Sequence, residues 1–114
     1  MPTSRAATVR VVVAAPQPDR VARATTNLLA AADHPLDVEI VLYGAGVDLI
    51  LDRIPPAEAA ALHEAGARVL VCANTLKGRG LTAEVLPPWV GVVDAAVWHL
   101  ALRQHQGWSL VPVW

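Results

Sequence analysis

The chain has 114 residues, which suits one domain with its own core and is too short for two. Its formal net charge is −1 and its nine Lys and Arg residues are scattered, which argues against nucleic acid or an anionic membrane surface as the main partner. No segment approaches the roughly 18 consecutive apolar residues of a membrane helix, and the first apolar run is too short for a signal peptide, so we expect a cytoplasmic protein.

The first half of the chain alternates between strand and helix patterns. Residues 1–7 are mostly small and predict a loose tail. Residues 8–15 are β-branched and almost continuously apolar, which predicts a strand buried on both faces. Apolar positions at helical spacing predict a helix over 20–32, a second buried strand is predicted over 38–43, and a short helix over 47–51.

The second half continues the same alternation. Pro55 and Pro56 are typical of a helix start and Gly66 of a helix end, while Asp94 is predicted to cap a later helix. The other predicted elements are a strand over 68–72, a helical turn over 82–86, a strand over 90–93, a helix over 95–106 and a strand over 108–113. This order predicts an α/β fold in which a mostly parallel sheet lies between two helical layers, with residues 8–114 forming a single domain.

The composition predicts self-association. The hydrophobic fraction is 54%, and the charged fraction of 17% is well below the roughly 25% that is usual for soluble domains. A small domain has a large surface for its volume, so with so few charges some apolar surface is expected to contact another subunit. A monomer that is simply rich in alanine is the alternative.

Cys72 is the strongest candidate for chemistry. As the one cysteine of the chain it cannot form an intramolecular disulfide, and it is predicted to end a strand at the edge where parallel sheets gather their ligands. With Asn74 or Thr75 as the helix N-cap, backbone amides would favour the thiolate, and Lys77 and Arg79 would add positive charge. The competing interpretation is an inert cysteine of the core.

Other candidate sites are less specific. The segment 43–46, Tyr-Gly-Ala-Gly, has half of the glycine pattern of a phosphate-binding loop but follows the second strand, and a tight turn explains it better. The four histidines have no metal-ligand spacing, so we expect no metal site, and His105 is interpreted as a packed interface residue. The four tryptophans are expected to be core and interface anchors.

Four segments together resemble the DsrE/DsrF-like sulfur-relay proteins in their short, single-domain form. They are 27–29, 38–47, the Cys-Ala-Asn-Thr-Leu segment 72–76, and 92–104 with Gly107, Trp108 and Pro112. The resemblance implies a sheet of about five strands and a homotrimer or homohexamer. It also implies a cysteine that carries sulfur as a persulfide, a role that only Cys72 can take here.

The leading hypothesis is therefore a sulfur carrier or sulfurtransferase without a cofactor. Cys72 would accept sulfane sulfur from a donor and pass it to an acceptor protein or a small thiol, because the chain has no second cysteine to resolve the persulfide. Asn74 and Thr75 would orient the loop, and Gly44 and Asn27 would shape the neighbouring pocket. The alternatives are a non-catalytic homo-oligomeric scaffold in which Cys72 is structural, and a small-molecule pocket at the turn 44–46.

Overall fold

Strands and helices alternate along the chain in the computed structural model, which describes residues 7–51 and 57–114. The strands are β1 (Val9–Ala15), β2 (Leu36–Leu42), β3 (Arg68–Cys72), β4 (Gly91–Val93) and β5 (Ser109–Pro112). The helices are α1 (Val21–Ala31), α2 (Asp48–Leu51), α3 (Ala57–Glu64), α4 (Ala73–Gly78) and α5 (Ala96–His105), with short 3-10 turns at Gly44–Val47 and Ala83–Val85.

The five strands form one sheet in the order β4-β3-β2-β1-β5, and every pair is parallel. Val13 at the centre of β1 lies opposite Ile40 of β2 on one side and Val111 of β5 on the other. At the β4 edge of the sheet, Cys72 of β3 pairs with Val93 of β4. The predicted α/β fold with a parallel sheet between helical layers is therefore confirmed.

The strand order determines which face each helix covers. From β1 to β4 the chain moves stepwise towards one edge, and right-handed crossovers place the connecting helices α1 and α3 on the same face. The last crossover returns from β4 to a position beside β1, so its direction is reversed. The same handedness then puts α5 on the opposite face, where it contacts β1 and β5.

The side chains on the two faces build two separate cores. Beneath α1 and α3 (the α1 face) lies the larger core, whose buried members include Val13, Ile40, Leu42, Leu62 and Val71. Beneath α5 (the α5 face) lies a smaller one. Its buried residues are Val12, Val41, Cys72, Ala96 and Trp108. Cys72 thus belongs to the smaller of the two cores.

The predicted boundaries agree with the structure to within a few residues. β2 starts at Leu36 rather than residue 38, because pairing with β1 extends to the Val9–Leu36 pair. Predicted helix 47–51 is a 3-10 turn that continues into α2, and Gly66 follows α3 with a φ of +103°, as expected of a terminating glycine. Residues 1–6 of the predicted tail 1–7, and the predicted helix start at Pro55-Pro56, lie outside the described residues. Within 7–51 and 57–114, no helix is long and apolar enough to span a bilayer.

Candidate functional site

Cys72 lies where β3 becomes α4. Its backbone is extended, with φ −73° and ψ 119°, and the helix begins at the next residue, which makes Cys72 itself the N-cap. The prediction that Asn74 or Thr75 caps this helix is therefore wrong, because both residues already belong to its first turn. Their amides are among those that have no partner within the helix, and they lie at the end that faces the cysteine.

A second helix also starts at the Cys72 sulfur. The amide of Ala96, the first residue of α5, donates a hydrogen bond of 3.4 Å to the Sγ atom. The prediction that Asp94 caps this helix is wrong, since the N-cap is Ala95 and it makes no side-chain capping bond, while Asp94 is exposed. Instead, the Cys72 sulfur at the end of β3 accepts a hydrogen bond from one of the unpaired amides at the start of α5.

These surroundings change the acidity of the thiol. Burial raises the pKa of Cys72, since only 5% of the residue is exposed, but hydrogen-bond donors lower it by more. The donors are the amide of Ala96, the amide and hydroxyl of Thr75 and the amide of Asn74. The net pKa lies below the ordinary cysteine value, which favours the thiolate, the nucleophilic form.

The turn after β2 is tied to the same helix start. The amide of Gly44 donates a 3.0 Å hydrogen bond to Thr75 Oγ1, which leaves the Thr75 hydroxyl proton free to face the sulfur. Arg79 donates from Nη2 to the carbonyl oxygen of Gly44 at 3.1 Å and from Nη1 to Asp48. The structure brings together four of the residues expected at the site, namely Cys72, Asn74, Thr75 and Gly44. Arg79 is hydrogen-bonded to the turn.

The Gly44–Gly46 segment is a tight turn, as its glycines require. Gly44 has a φ of +54°, a conformation that L side chains rarely adopt. A Cβ on Gly46 would lie 1.9 Å from the carbonyl oxygen of Ala15, so the turn packs directly against the end of β1. Because that space is filled by backbone, this geometry favours the tight turn over a ligand-binding loop.

Asn27 lies away from the other expected site residues. It is exposed on α1, a helix whose apolar side chains pack into the core of the α1 face. Cys72 belongs to the core of the α5 face, so the sheet separates the helix that carries Asn27 from the thiol. The structure does not bring Asn27 to the pocket that it was expected to shape.

A buried carboxylate on the α5 face was not identified from the sequence. Glu39 of β2 is only 3% exposed and accepts hydrogen bonds from His99 Nε2 at 2.7 Å and from Arg103 Nε and Nη2 at 2.9 and 2.6 Å. Burial raises its pKa, but the hydrogen bonds and charges of Arg103 and His99 lower it by more. The available signal was a glutamate within the otherwise apolar run 38–42, matched by two basic residues four apart on one helix.

The histidines and tryptophans have varied surroundings. His99 contacts Glu39, His63 stacks on Trp89 at 4.8 Å between ring centroids, and His105 is exposed. Trp108 is buried beneath the guanidinium of Arg103, which lies 4.4 Å from its ring centroid. In the part of the chain that the structure describes, no three His, Cys, Asp or Glu residues are grouped as metal ligands.

The sequence profile of the DsrE/DsrF-like family matches residues 8–113, nearly the whole chain. The chain belongs to the DsrE/DsrF-like family. Its fold is similar to that of MTH1491 from Methanobacterium thermoautotrophicum, a protein of unknown function, with a TM-score of 0.78 and 27% sequence identity over 93% of this chain and 98% of the other. BT1422 from Bacteroides thetaiotaomicron, also of unknown function, has the same fold, with a TM-score of 0.72 and 14% identity over 91% and 94% of the two chains. No functionally curated protein matches this DsrE/DsrF-like chain.

Proposed function

We propose that this DsrE/DsrF-like protein carries sulfane sulfur on Cys72 and passes it to a thiol of another molecule. The observation that carries the proposal is the position of the Cys72 sulfur between the starts of two helices, where it accepts the Ala96 amide. Partial positive charge at a helix start favours an anion. A persulfide anion on Cys72 would be stabilised by the same donors as the thiolate.

The transfer is a balanced exchange of sulfur. The Cys72 thiolate attacks the outer sulfur of a donor persulfide, R–S–SH. A bond forms between Sγ and that outer sulfur while the S–S bond of the donor breaks, and the electron pair of that S–S bond leaves with the inner sulfur as the thiolate RS⁻. Cys72 is thereby oxidised to the persulfide and the donor is reduced. An acceptor thiolate then attacks the outer sulfur and releases the Cys72 thiolate.

The test is to weigh the intact protein before and after incubation with inorganic polysulfide. We expect wild type to gain the mass of a sulfur atom and to lose it again when a small thiol is added. Cys72→Ser is the matched control and should gain nothing. A wild-type protein that takes up no sulfur, or a serine variant that takes up as much, would refute the proposal. The same measurement with thiosulfate shows whether Cys72 also accepts sulfur from a donor other than polysulfide.

A non-catalytic scaffold is the second candidate, and the burial of the thiol is the observation that favours it. Only 5% of Cys72 is exposed, which is typical of an inert cysteine packed in the core as well as of a reactive cysteine shielded from solvent. A packed cysteine should titrate at or above the ordinary value, because desolvation disfavours its thiolate. The pH dependence of alkylation therefore separates the two candidates even if the absolute rate is low.

We further propose that the protein self-associates through the outer surface of α5, as a trimer or a hexamer. Val97 and Trp98 are neighbours in its first turn and are 78% and 66% exposed. Leu110 on the neighbouring edge strand and Trp114 after it are also exposed. Apolar side chains of this size on one side of a small domain support a protein contact.

A further inference from the structure

Helix α5 contacts the sheet at two separate points. Ala96, His99 and Arg103 follow each other at spacings of three and four residues, so they lie on one face of the helix. The amide of Ala96 contacts the Cys72 sulfur, whereas the side chains of His99 and Arg103 contact Glu39. One helix face therefore joins the thiol to the buried carboxylate.

The contact with Glu39 fixes both the rotation and the position of the helix. Arg103 bonds both carboxylate oxygens, a paired geometry that tolerates little displacement, and His99 adds a third bond one turn earlier. From β3, Arg68 places Nη2 3.3 Å from Glu39 Oε2 and 3.0 Å from Asp37. These are the charged groups that face Glu39 from the neighbouring strand and from α5.

The two contact points are separated along the sheet. Glu39 lies opposite Arg68, four residues before Cys72 in β3, which corresponds to about 13 Å along the strands. From Ala96 to Arg103 the helix advances about 10 Å, so it spans most of that separation. Sulfur is a weak acceptor and α5 has no side-chain cap, so the Ala96–sulfur contact has little strength of its own to hold the helix.

We propose that Glu39 is a positioning residue for Cys72: by holding His99 and Arg103 it keeps the first amide of α5 against the sulfur. The inference rests on the proposed role of Cys72 as a reactive thiol. If the carboxylate is neutralised, α5 shifts and the sulfur loses its amide donor and the partial positive charge of the helix start. The thiolate is then disfavoured.

The direction of the effect distinguishes positioning from simple electrostatics. Removal of a negative charge from the vicinity of a thiol would by itself lower the thiol pKa. Because both groups are buried, salt screens this direct effect only in part. Loss of the amide contact acts in the opposite direction, so a raised pKa in a variant without the Glu39 charge reports on the helix.

The experiment measures the rate of iodoacetamide alkylation against pH, a signal that comes only from Cys72 because the chain has no other cysteine. We expect the midpoint to rise by about 0.5 to 1 unit in Glu39→Gln. Arg103→Lys keeps the charge but loses the paired bond, and it should raise the midpoint by a smaller amount. Leu62→Ala, in the core of the α1 face, is the control and should destabilise the fold without moving the midpoint.

Unchanged midpoints in both Glu39→Gln and Arg103→Lys would overturn the inference, as would an equal shift in Leu62→Ala. If Glu39→Gln does not fold, Arg103→Lys decides the question alone. The outcome is separate from that of the sulfur-loading experiment. A shifted midpoint in a protein that takes up no sulfur would refute the proposed function only, whereas normal loading with unshifted midpoints would refute the role of Glu39 only.

Discussion

The two faces of the sheet are stabilised in different ways. On the α1 face, apolar side chains such as Ile40 and Leu62 fill a continuous core beneath two helices. On the α5 face, one helix covers a smaller core, is held by a buried carboxylate, and donates its first amide to a sulfur. The first face obtains its stability from buried area, and the second from a few directional contacts.

Because of this difference, changes in the stability of the fold can be separated from changes in the reactivity of the Cys72 thiol. Apolar burial is non-directional and tolerates small shifts of a helix, whereas a thiolate needs donors at defined positions. Cys72 and its Ala96 donor both lie on the face where directional contacts set the helix position. Substitutions on the α1 face should therefore change stability alone, and those on the α5 face should also change the thiol.

The largest loss of stability is expected from Ile40→Ala. Ile40 is fully buried at the centre of the sheet on the α1 face, so its truncation should lower the free energy of unfolding by about 2–5 kcal/mol. Urea denaturation measures this loss, with Ile40→Val as the milder control. The pH midpoint of Cys72 alkylation should not move. A shift of the midpoint in Ile40→Ala would show that the two faces are not independent.

Glu39→Gln should cost about 1–3 kcal/mol at neutral pH, because the charged hydrogen bonds from Arg103 and His99 are lost. The pKa of Glu39 is lower in the folded chain than in the unfolded one. The stability that it contributes is thus present above the ordinary glutamate pKa and is lost as the pH falls through the lowered value.

Urea denaturation midpoints measured at about pH 7, and again at a pH of about 4 or below, give this contribution. Wild type should lose more stability on acidification than Glu39→Gln does. Equal losses in the two proteins would contradict a lowered pKa of Glu39. Because Asp33 also has a lowered pKa, some acid dependence should persist in the variant.

Thr75→Val should have a smaller effect on stability, about 0.5–1 kcal/mol, since Gly44 is exposed and its amide can bond to water instead. Its effect on the thiol should be clear. Without the hydroxyl the pKa of Cys72 should rise, and alkylation at neutral pH should slow. Thr75→Ser retains the hydroxyl and should behave like wild type. A valine variant with the wild-type profile would exclude a role for this hydroxyl.

Trp98→Lys should change the stability of the subunit least, by no more than about 0.5 kcal/mol, because this side chain is two-thirds exposed. Its expected effect is on assembly. Size-exclusion chromatography with light scattering should show a trimer or hexamer for wild type and smaller species for the variant. Val85→Lys, at an exposed apolar position outside α5, is the control. A wild-type monomer would refute self-association.

Much of the fold is predictable from local pattern. The nearly continuous β-branched run of residues 8–15 predicted β1, since that composition is typical of a strand buried on both faces. The boundaries of β2 were less predictable, because the first pair, Val9 with Leu36, depends on the partner strand. The helix caps were mispredicted for a similar reason. The start of α5 is satisfied by a sulfur 24 residues away in sequence, which no local signal indicates.

The candidate site was predictable only in part. The thiol, the first turn of α4 and the turn at Gly44 follow strands that end at one edge of a parallel sheet, so their proximity could be inferred. The role of α5 and the contact between Glu39 and Arg103 depend on the return of the chain across the sheet, because these two residues are 64 positions apart in the sequence. For Asn27 the prediction was wrong. Its segment resembles the family pattern, but that resemblance does not establish that Asn27 lies near Cys72.

The most direct test of the account is the pH midpoint of Cys72 alkylation in the wild-type protein, with the urea-unfolded chain as its own reference. We predict a midpoint in the folded protein below that of the unfolded chain, whose thiol should titrate near the ordinary value of about 8.5. This comparison is independent of how slowly the reagent reaches a buried sulfur. A folded midpoint at or above the unfolded one would contradict the account and leave Cys72 a packed residue of the core.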